Sequence, residues 1–120
     1  MKNRILLIDD DIIFRKIIQK LLCSQYKLFL AQDFKEAIAF IEKGEMLDLI
    51  IADLNLPGIE GIELIKIIRQ ELDVKVPIMV ISGMDQDYLQ KELLQLGISE
   101  FLSKPVDRNM LKEKITDLVE

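Results

Sequence analysis

Four stretches of the chain end in side chains that can do chemistry, and each follows an apolar run. Asp9 and Asp10 follow Ile5 to Ile8, Asp53 follows Leu49 to Ala52, Ser82 follows Val76 to Ile81, and Lys104 closes the run Ile98 to Ser103. Short apolar runs bounded by turn residues read as buried strands. A single acid at a strand end says little, because such an acid commonly caps the next helix. Four strand ends agreeing says more. In a parallel sheet all carboxyl ends lie along one edge, so three acids, a hydroxyl and an ammonium converge there. Carboxylates that close repel one another, and at neutral pH they need a cation or a raised pKa. Oxygen donors without histidine or cysteine suit Mg²⁺, which takes one or two carboxylates and a phosphate and keeps several waters. Asp53 then reads as a nucleophile toward phosphorus. Lys104 and the metal balance charge on the phosphoryl oxygens, and Ser82 donates a hydrogen bond to one of them.

The elements that must hold these groups alternate strand and helix five times. After the first run, Phe14, Ile17, Ile18 and Leu21 recur at helical spacing with charged and polar residues between them. Tyr26 to Leu30 is a second, weaker strand, ending in the uncharged Ala31-Gln32. Asp33 and Glu36 resemble a capping box ahead of Phe34, Ala37, Ile38 and Ile41, and Gly44 closes that helix. Ile62, Ile65, Ile68 and Leu72 mark a third helix. Leu89, Leu93 and Leu96, closed by Gly97, mark a fourth, and Asp107 caps a fifth carrying Leu111, Ile115 and Leu118. Strands with wholly apolar runs are buried on both faces, as in a parallel sheet covered by helices on both sides. The expected fold is a doubly wound (βα)5 α/β sandwich. The flavodoxin-like strand order 2-1-3-4-5 leaves the strand without a functional end on the outside.

Bulk composition sets the limits. The 120 residues, half of them apolar, make a single domain over 1–120 with one core. A net charge of -5, with no basic cluster, argues against direct nucleic-acid binding. No apolar stretch approaches the roughly 20 residues that span a bilayer, so no membrane role is expected. The absence of histidine removes histidine acid–base catalysis, serine-type triads and histidine metal ligands together. Cys23, the one cysteine, reads as a reduced, buried thiol in a cytoplasmic protein.

These motifs resemble, over the whole chain, the receiver domain of two-component response regulators. The matching segments are Leu7-Ile8-Asp9-Asp10, Asp53 to Gly61, Ser82-Gly83, Leu96-Gly97-Ile98, and Phe101 to Pro105. The resemblance implies that Asp53 is the phosphoacceptor and that Asp9, Asp10, Asp53 and the backbone carbonyl of Asn55 hold Mg²⁺. It implies that Ser82 is a switch hydroxyl, that Lys104 contacts the phosphoryl group, and that the bond to Pro105 is cis. It further implies that the donor is a sensor histidine kinase or a histidine phosphotransfer protein, and that the face of the fourth helix, fifth strand and fifth helix meets an unspecified effector. Phe101 stands where many members carry a tyrosine that turns inward; it can turn but offers no hydroxyl. Asn55 and Met84, the latter apolar where a polar residue could hold an attacking water, are read as setting the phosphate's lifetime.

Plainer roles suit other residues. Asp11 precedes a helix and reads as its cap, while Asp48 and Glu60 read as solvated loop charges. Lys91, Lys112 and Lys114 read as exposed helix positions, and Tyr88, Phe101 and Met110 as a candidate partner surface. A haloacid-dehalogenase-type phosphatase would need a second acid where Asn55 stands. A flavodoxin-like module would want a hydroxyl- and glycine-rich loop where Asp9-Asp10-Asp11 stands. A phosphorylation-independent receiver-like module would tend to lack one of the acids or the lysine, and all are present.

Overall fold

Consecutive residues of a strand face opposite sides of its sheet, and in this chain both sides are apolar. The computed structural model describes residues 2–83 and 87–119, with side chains given for all of these except 87 and 88. In β1 (Asn3–Ile8), Ile5 and Leu7 enter one core while Leu6 and Ile8 enter another. In β3 (Leu49–Asp53), Leu49 and Ile51 oppose Ile50 and Ala52. In β4 (Ile78–Ser82), Met79 and Ile81 oppose Ile78 and Val80. With β2 (Tyr26–Ala31) and β5 (Glu100–Ser103) at the edges, the five strands pair in parallel in the order β2-β1-β3-β4-β5. A sheet apolar on both faces needs helices on both. α1 (Ile12–Leu22) and α5 (Arg108–Val119) cover one face through Ile18, Leu22, Leu111 and Ile115. α2 (Phe34–Glu42), α3 (Gly61–Lys66) and α4 (Asp87–Gln95) cover the other through Ala37, Ile41, Ile62, Ile65 and Leu93. The doubly wound fold and its strand order are those expected.

Local chemistry sets the helix starts. The Asp11 carboxylate accepts from the N–H groups of Ile13 and Phe14 at 2.9 and 3.3 Å, which makes it the cap of α1. Asp33 accepts from Glu36 N–H at 2.8 Å, while the Glu36 carboxylate accepts from Gln32 N–H at 3.1 Å, a shifted form of the capping box. Asp107 accepts from Met110 N–H at 2.9 Å. Gly61 is required where α3 begins: a Cβ there would lie 2.7 Å from the Leu54 carbonyl oxygen, so only glycine lets the helix start against the chain leaving β3.

Several expectations need correction. Cys23 is exposed, because α1 ends at Leu22 and Cys23 falls on its outer cap, its N–H bonded to Gln19 O. β4 starts at Ile78 and not Val76, since Pro77 has no N–H to give and serves only as an acceptor for Ile50 N–H. β5 starts at Glu100 because Ile98 N–H closes α4 onto Leu93 O. Asp48 is half-buried and accepts from Arg4 N–H at 2.8 Å, so it is no free loop charge. Lys114 is paired with Glu100 at 3.2 Å. Among the described residues no helix is long and apolar enough to cross a membrane.

The third helix also departs from a regular α-helix. It widens into a π-helical segment, Ile67–Glu71, in which Leu72 N–H reaches Ile67 O, and Asp73 then takes a positive φ of 54°. Arg69 leaves this segment and donates to four carbonyls: Leu96 at 2.8 Å, Gly97 at 3.1 Å, Val74 at 2.9 Å and Val76 at 2.6 Å. It staples the carboxyl end of α4 to the chain entering β4, and burial pulls its pKa down from the ordinary value. Arg69→Met should lower the urea-unfolding free energy by roughly 2–3 kcal/mol, the scale of losing bonds to a charged donor. A loss below roughly 0.5 kcal/mol, the level of an ordinary surface change, would contradict the staple.

Candidate functional site

Register decides what meets at the carboxyl edge. Ile8 pairs with Ala52, so the next residues, Asp9 and Asp53, stand side by side. Ser82 pairs with Ser103, and Lys104 N–H then donates to Ser82 O at 2.9 Å, placing the lysine over the same edge. Asp9 and Asp53 are 1% and 4% exposed, whereas Asp10 lies open to solvent. Lys104 Nζ reaches between the two buried acids, 3.0 Å from Asp9 Oδ2 and 3.3 Å from Asp53 Oδ2. The other oxygen of each acid accepts a backbone N–H: Asp11 to Asp9 Oδ1 at 2.8 Å, and Asn55 to Asp53 Oδ1 at 2.9 Å. Asn55 Nδ2 also donates to Ser82 Oγ at 3.2 Å, tying the loop after β3 to the end of β4.

Burial and charge act against each other here. At Asp9 burial dominates and pushes the carboxyl above its ordinary pKa; the nearby Asp53 charge adds to this, while Asp11 N–H and Lys104 oppose it. At Lys104 burial pulls down, but the bonds and charges of Asp9 and Asp53 outweigh it, so its pKa is raised. The two partners thus differ in what controls them. Asp9 is almost wholly enclosed, and Lys104 keeps a quarter of its side chain in water. One lysine does not fully compensate two acids, and a raised acid pKa means that ionising Asp9 opposes folding as pH climbs past the ordinary carboxylate range.

Asp9, Asp10 and Asp53 each offer a carboxylate oxygen, and these lie within 4.8 Å of one another. An all-oxygen set of that size, net negative after Lys104 is counted, fits a small hard dication such as Mg²⁺, bound at about 2.0–2.1 Å.

The structure therefore gathers Asp9, Asp10, Asp53, Ser82, Asn55 and Lys104 at one edge. Phe101 is half-buried on β5, against the core under α4. The Lys104–Pro105 peptide bond is cis. Met84 lies outside the described residues, as does the side chain of Tyr88. Two neighbours were not singled out from sequence. Arg15 Nη1 donates to Asp9 O at 2.7 Å, and the Phe14 ring lies 4.6 Å from Lys104 Nζ. Helical spacing from the Asp11 cap puts both one turn from the acids, which was the available signal.

The doubly wound sheet thus carries an acidic, lysine-bridged hollow at the carboxyl edge of its central strands, and comparison with known proteins gives its class. Residues 5–116 match the response regulator receiver domain family. Chemotaxis protein CheY-3 of Vibrio cholerae is 31% identical over 120 residues, covering 98% of this chain and 92% of the relative. The 3',5'-cyclic-nucleotide phosphodiesterase regA of Dictyostelium discoideum is 32% identical over 99% of this chain, which spans only 16% of that longer protein. Among solved structures, the receiver domain of the sensor histidine kinase PA1611 of Pseudomonas aeruginosa, with magnesium in its active-site cleft, has a TM-score of 0.84 at 27% identity, covering 99% of this chain and 98% of its own. The receiver domain of Ssk1 of Saccharomyces cerevisiae, co-crystallised with the histidine phosphotransfer protein Ypd1, has a TM-score of 0.85 at 28% identity, covering 98% and 89%. The chain belongs to the response regulator receiver domain family of two-component signalling.

The raised pKa of Lys104 has a measurable consequence. Its contribution to stability is fully present below the unfolded value of about 10.4 and is lost as pH rises through the higher folded value. In metal-free buffer, the gap in thermal midpoint between the parent chain and Lys104→Met should stay constant from neutral pH to near that value and shrink above it. A gap that widens with alkaline pH would contradict the bridging geometry.

Proposed function

We propose that the chain is a phosphorylation-driven switch in which Asp53 accepts a phosphoryl group from a phosphohistidine donor. The observation that carries this is the convergence of Asp9, Asp10, Asp53 and Lys104, from three strand ends, on one hollow. Asp53 is held by Asn55 N–H, so its carboxylate is oriented before the donor arrives. It attacks phosphorus; the new P–O bond forms as the donor's P–N bond breaks, and the electron pair leaves on the imidazole nitrogen. Lys104, already beside Asp53, follows charge onto the phosphoryl oxygens. Asp9, Asp10, Asp53 and the Asn55 carbonyl would hold Mg²⁺, whose charge offsets both the acids and the incoming group. A phosphatase of the haloacid-dehalogenase type is disfavoured, because Asn55 has no proton to give as a general acid and its amide already bonds Ser82.

The donor must bring the histidine, since the chain has none. Ile12 and Ile13, in the first turn of α1 beside the acids, are 56% and 68% exposed and give an apolar donor helix a place to rest. The pairing of the Ssk1 receiver domain with Ypd1 supports a donor of that kind, either a sensor histidine kinase or a phosphotransfer protein.

For output, Ser82 would leave Asn55 for the phosphoryl group. The end of β4 would shift with it, Phe101 would turn into the space released, and the α4–β5–α5 face would change its affinity for an effector. That is a population shift biased by a new local charge.

Incubation with Mg²⁺ and acetyl phosphate should add one phosphoryl group by intact mass, and Asp53→Asn should add none. No gain in the parent, or equal gain in the variant, contradicts the assignment. Mg²⁺ alone should raise the thermal midpoint, reversibly with chelator. Asp10→Asn, an exposed change, should leave metal-free stability within about 0.5 kcal/mol yet weaken Mg²⁺ binding at least roughly tenfold, or 1.4 kcal/mol. Unchanged Mg²⁺ affinity would remove Asp10 from the ligand set.

A further inference from the structure

Among the described residues, the Lys104 ammonium faces two acids and one group that is not an acid. Besides Asp9 Oδ2 and Asp53 Oδ2 at 3.0 and 3.3 Å, it faces the Phe14 ring at 4.6 Å from the centroid. Lysine is a compact charge on a flexible four-carbon stem, so its position depends on what surrounds it. A cavity of about 220 Å³ opens beside it, lined among others by Phe14, Lys104, Pro105, Val106 and Leu111. An aromatic face attracts a cation through its quadrupole, and does so more strongly when water is largely excluded. An aliphatic side chain at position 14 would fill the apolar stripe of α1 equally well but would exert no such pull.

We propose that Phe14 is a positioning residue for phosphoryl transfer, its ring face keeping the Lys104 ammonium at Asp9 and Asp53 so that it is in place when the phosphoryl group arrives. This rests on Asp53 being the acceptor. An ammonium held at the acids needs no search or reorganisation as charge develops. Phe14 also packs against the core that contains Ile18 and Leu111, so its truncation would cost stability on any account. The informative variants therefore keep bulk and change only the ring: Phe14→Leu removes the π face, and Phe14→Tyr retains it.

The test uses the whole chain with Mg²⁺ and acetyl phosphate, a donor too small to report on docking at α1. Phe14→Leu should lower the limiting phosphorylation rate roughly three- to tenfold without changing the half-saturating donor concentration, while Phe14→Tyr should rescue the rate to within about twofold. In a Lys104→Ala background Phe14→Leu should have no further effect, because the ring acts only through the ammonium. Independently of phosphorylation, NMR should find the Lys104 ε-methylene protons shifted upfield by the ring in the parent and Phe14→Tyr, and unshifted in Phe14→Leu. The proposal is overturned if both ring variants react equally fast, if Phe14→Leu slows the Lys104→Ala chain as much as the parent, or if the parent shows no ring shift. A parent chain that takes no phosphoryl group overturns the acceptor assignment and this proposal with it. Phosphorylation with indifferent ring variants overturns this proposal alone.

Discussion

Two buried carboxylates standing side by side repel, and the parallel sheet of this protein leaves Asp9 and Asp53 no choice but to do so. β1 and β3 are neighbours in register, and each delivers its acid at the same edge. Lys104, 95 residues beyond Asp9, supplies the only bridging amine seen between them among the described residues. Removing one member of a buried charge set is costly because the others lose compensation. The bridge therefore constrains the placement of β5 and the turn after it as much as it serves chemistry. It remains incomplete, with two acids to one amine and a third carboxylate at the rim, and in the proposed switch that residual negative charge is what would admit a dication and, with it, a phosphoryl group.

The same bonds connect the hollow to a distant face. Ser82 ends β4 and accepts Lys104 N–H on its carbonyl, while its hydroxyl accepts from Asn55. In the proposed switch, a change in what Asp53 carries would reach β4 and β5 through these two adjacent strand ends. Arg69 holds the far end of α4 by Leu96 and Gly97. With that end stapled, the proposed switch would act through rearrangement near Ser82 and not through release of the whole helix. Energy need only bias two arrangements of one element, which a new local charge can do.

Sequence shows clearly those features that depend on period and position along the chain. Apolar runs marked the strands, and what followed each run marked Asp9, Asp53, Ser82 and Lys104, because strand direction alone carries them to one edge. Features that depend on where a long side chain reaches were invisible. Arg69 carried no signal in the sequence: two of its acceptors, Leu96 and Gly97, lie on a segment distant in the chain. The other two, Val74 and Val76, come into reach only through the turn that follows its own helix, and the π-helical widening that aims it has no periodic signature. Phe14 was legible as an apolar helix position, yet its ring contributes to Lys104 as well as to the core. Cys23 was misread for a related reason: it continued an apolar pattern by one residue, but the helix had already ended at Leu22. β4 and β5 were trimmed at their starts for backbone reasons, namely Pro77 lacking an N–H and Ile98 spending its own on α4.

The central claim is that Asp53, and no other acid of the trio, forms the bond to phosphorus. Borohydride reduces an aspartyl phosphate to homoserine, so reduction after exposure to Mg²⁺ and acetyl phosphate, followed by peptide sequencing in the mass spectrometer, reads the acceptor directly. Homoserine at position 53 alone is the predicted result. Homoserine at position 9 or 10, or none anywhere in the chain, would contradict the account.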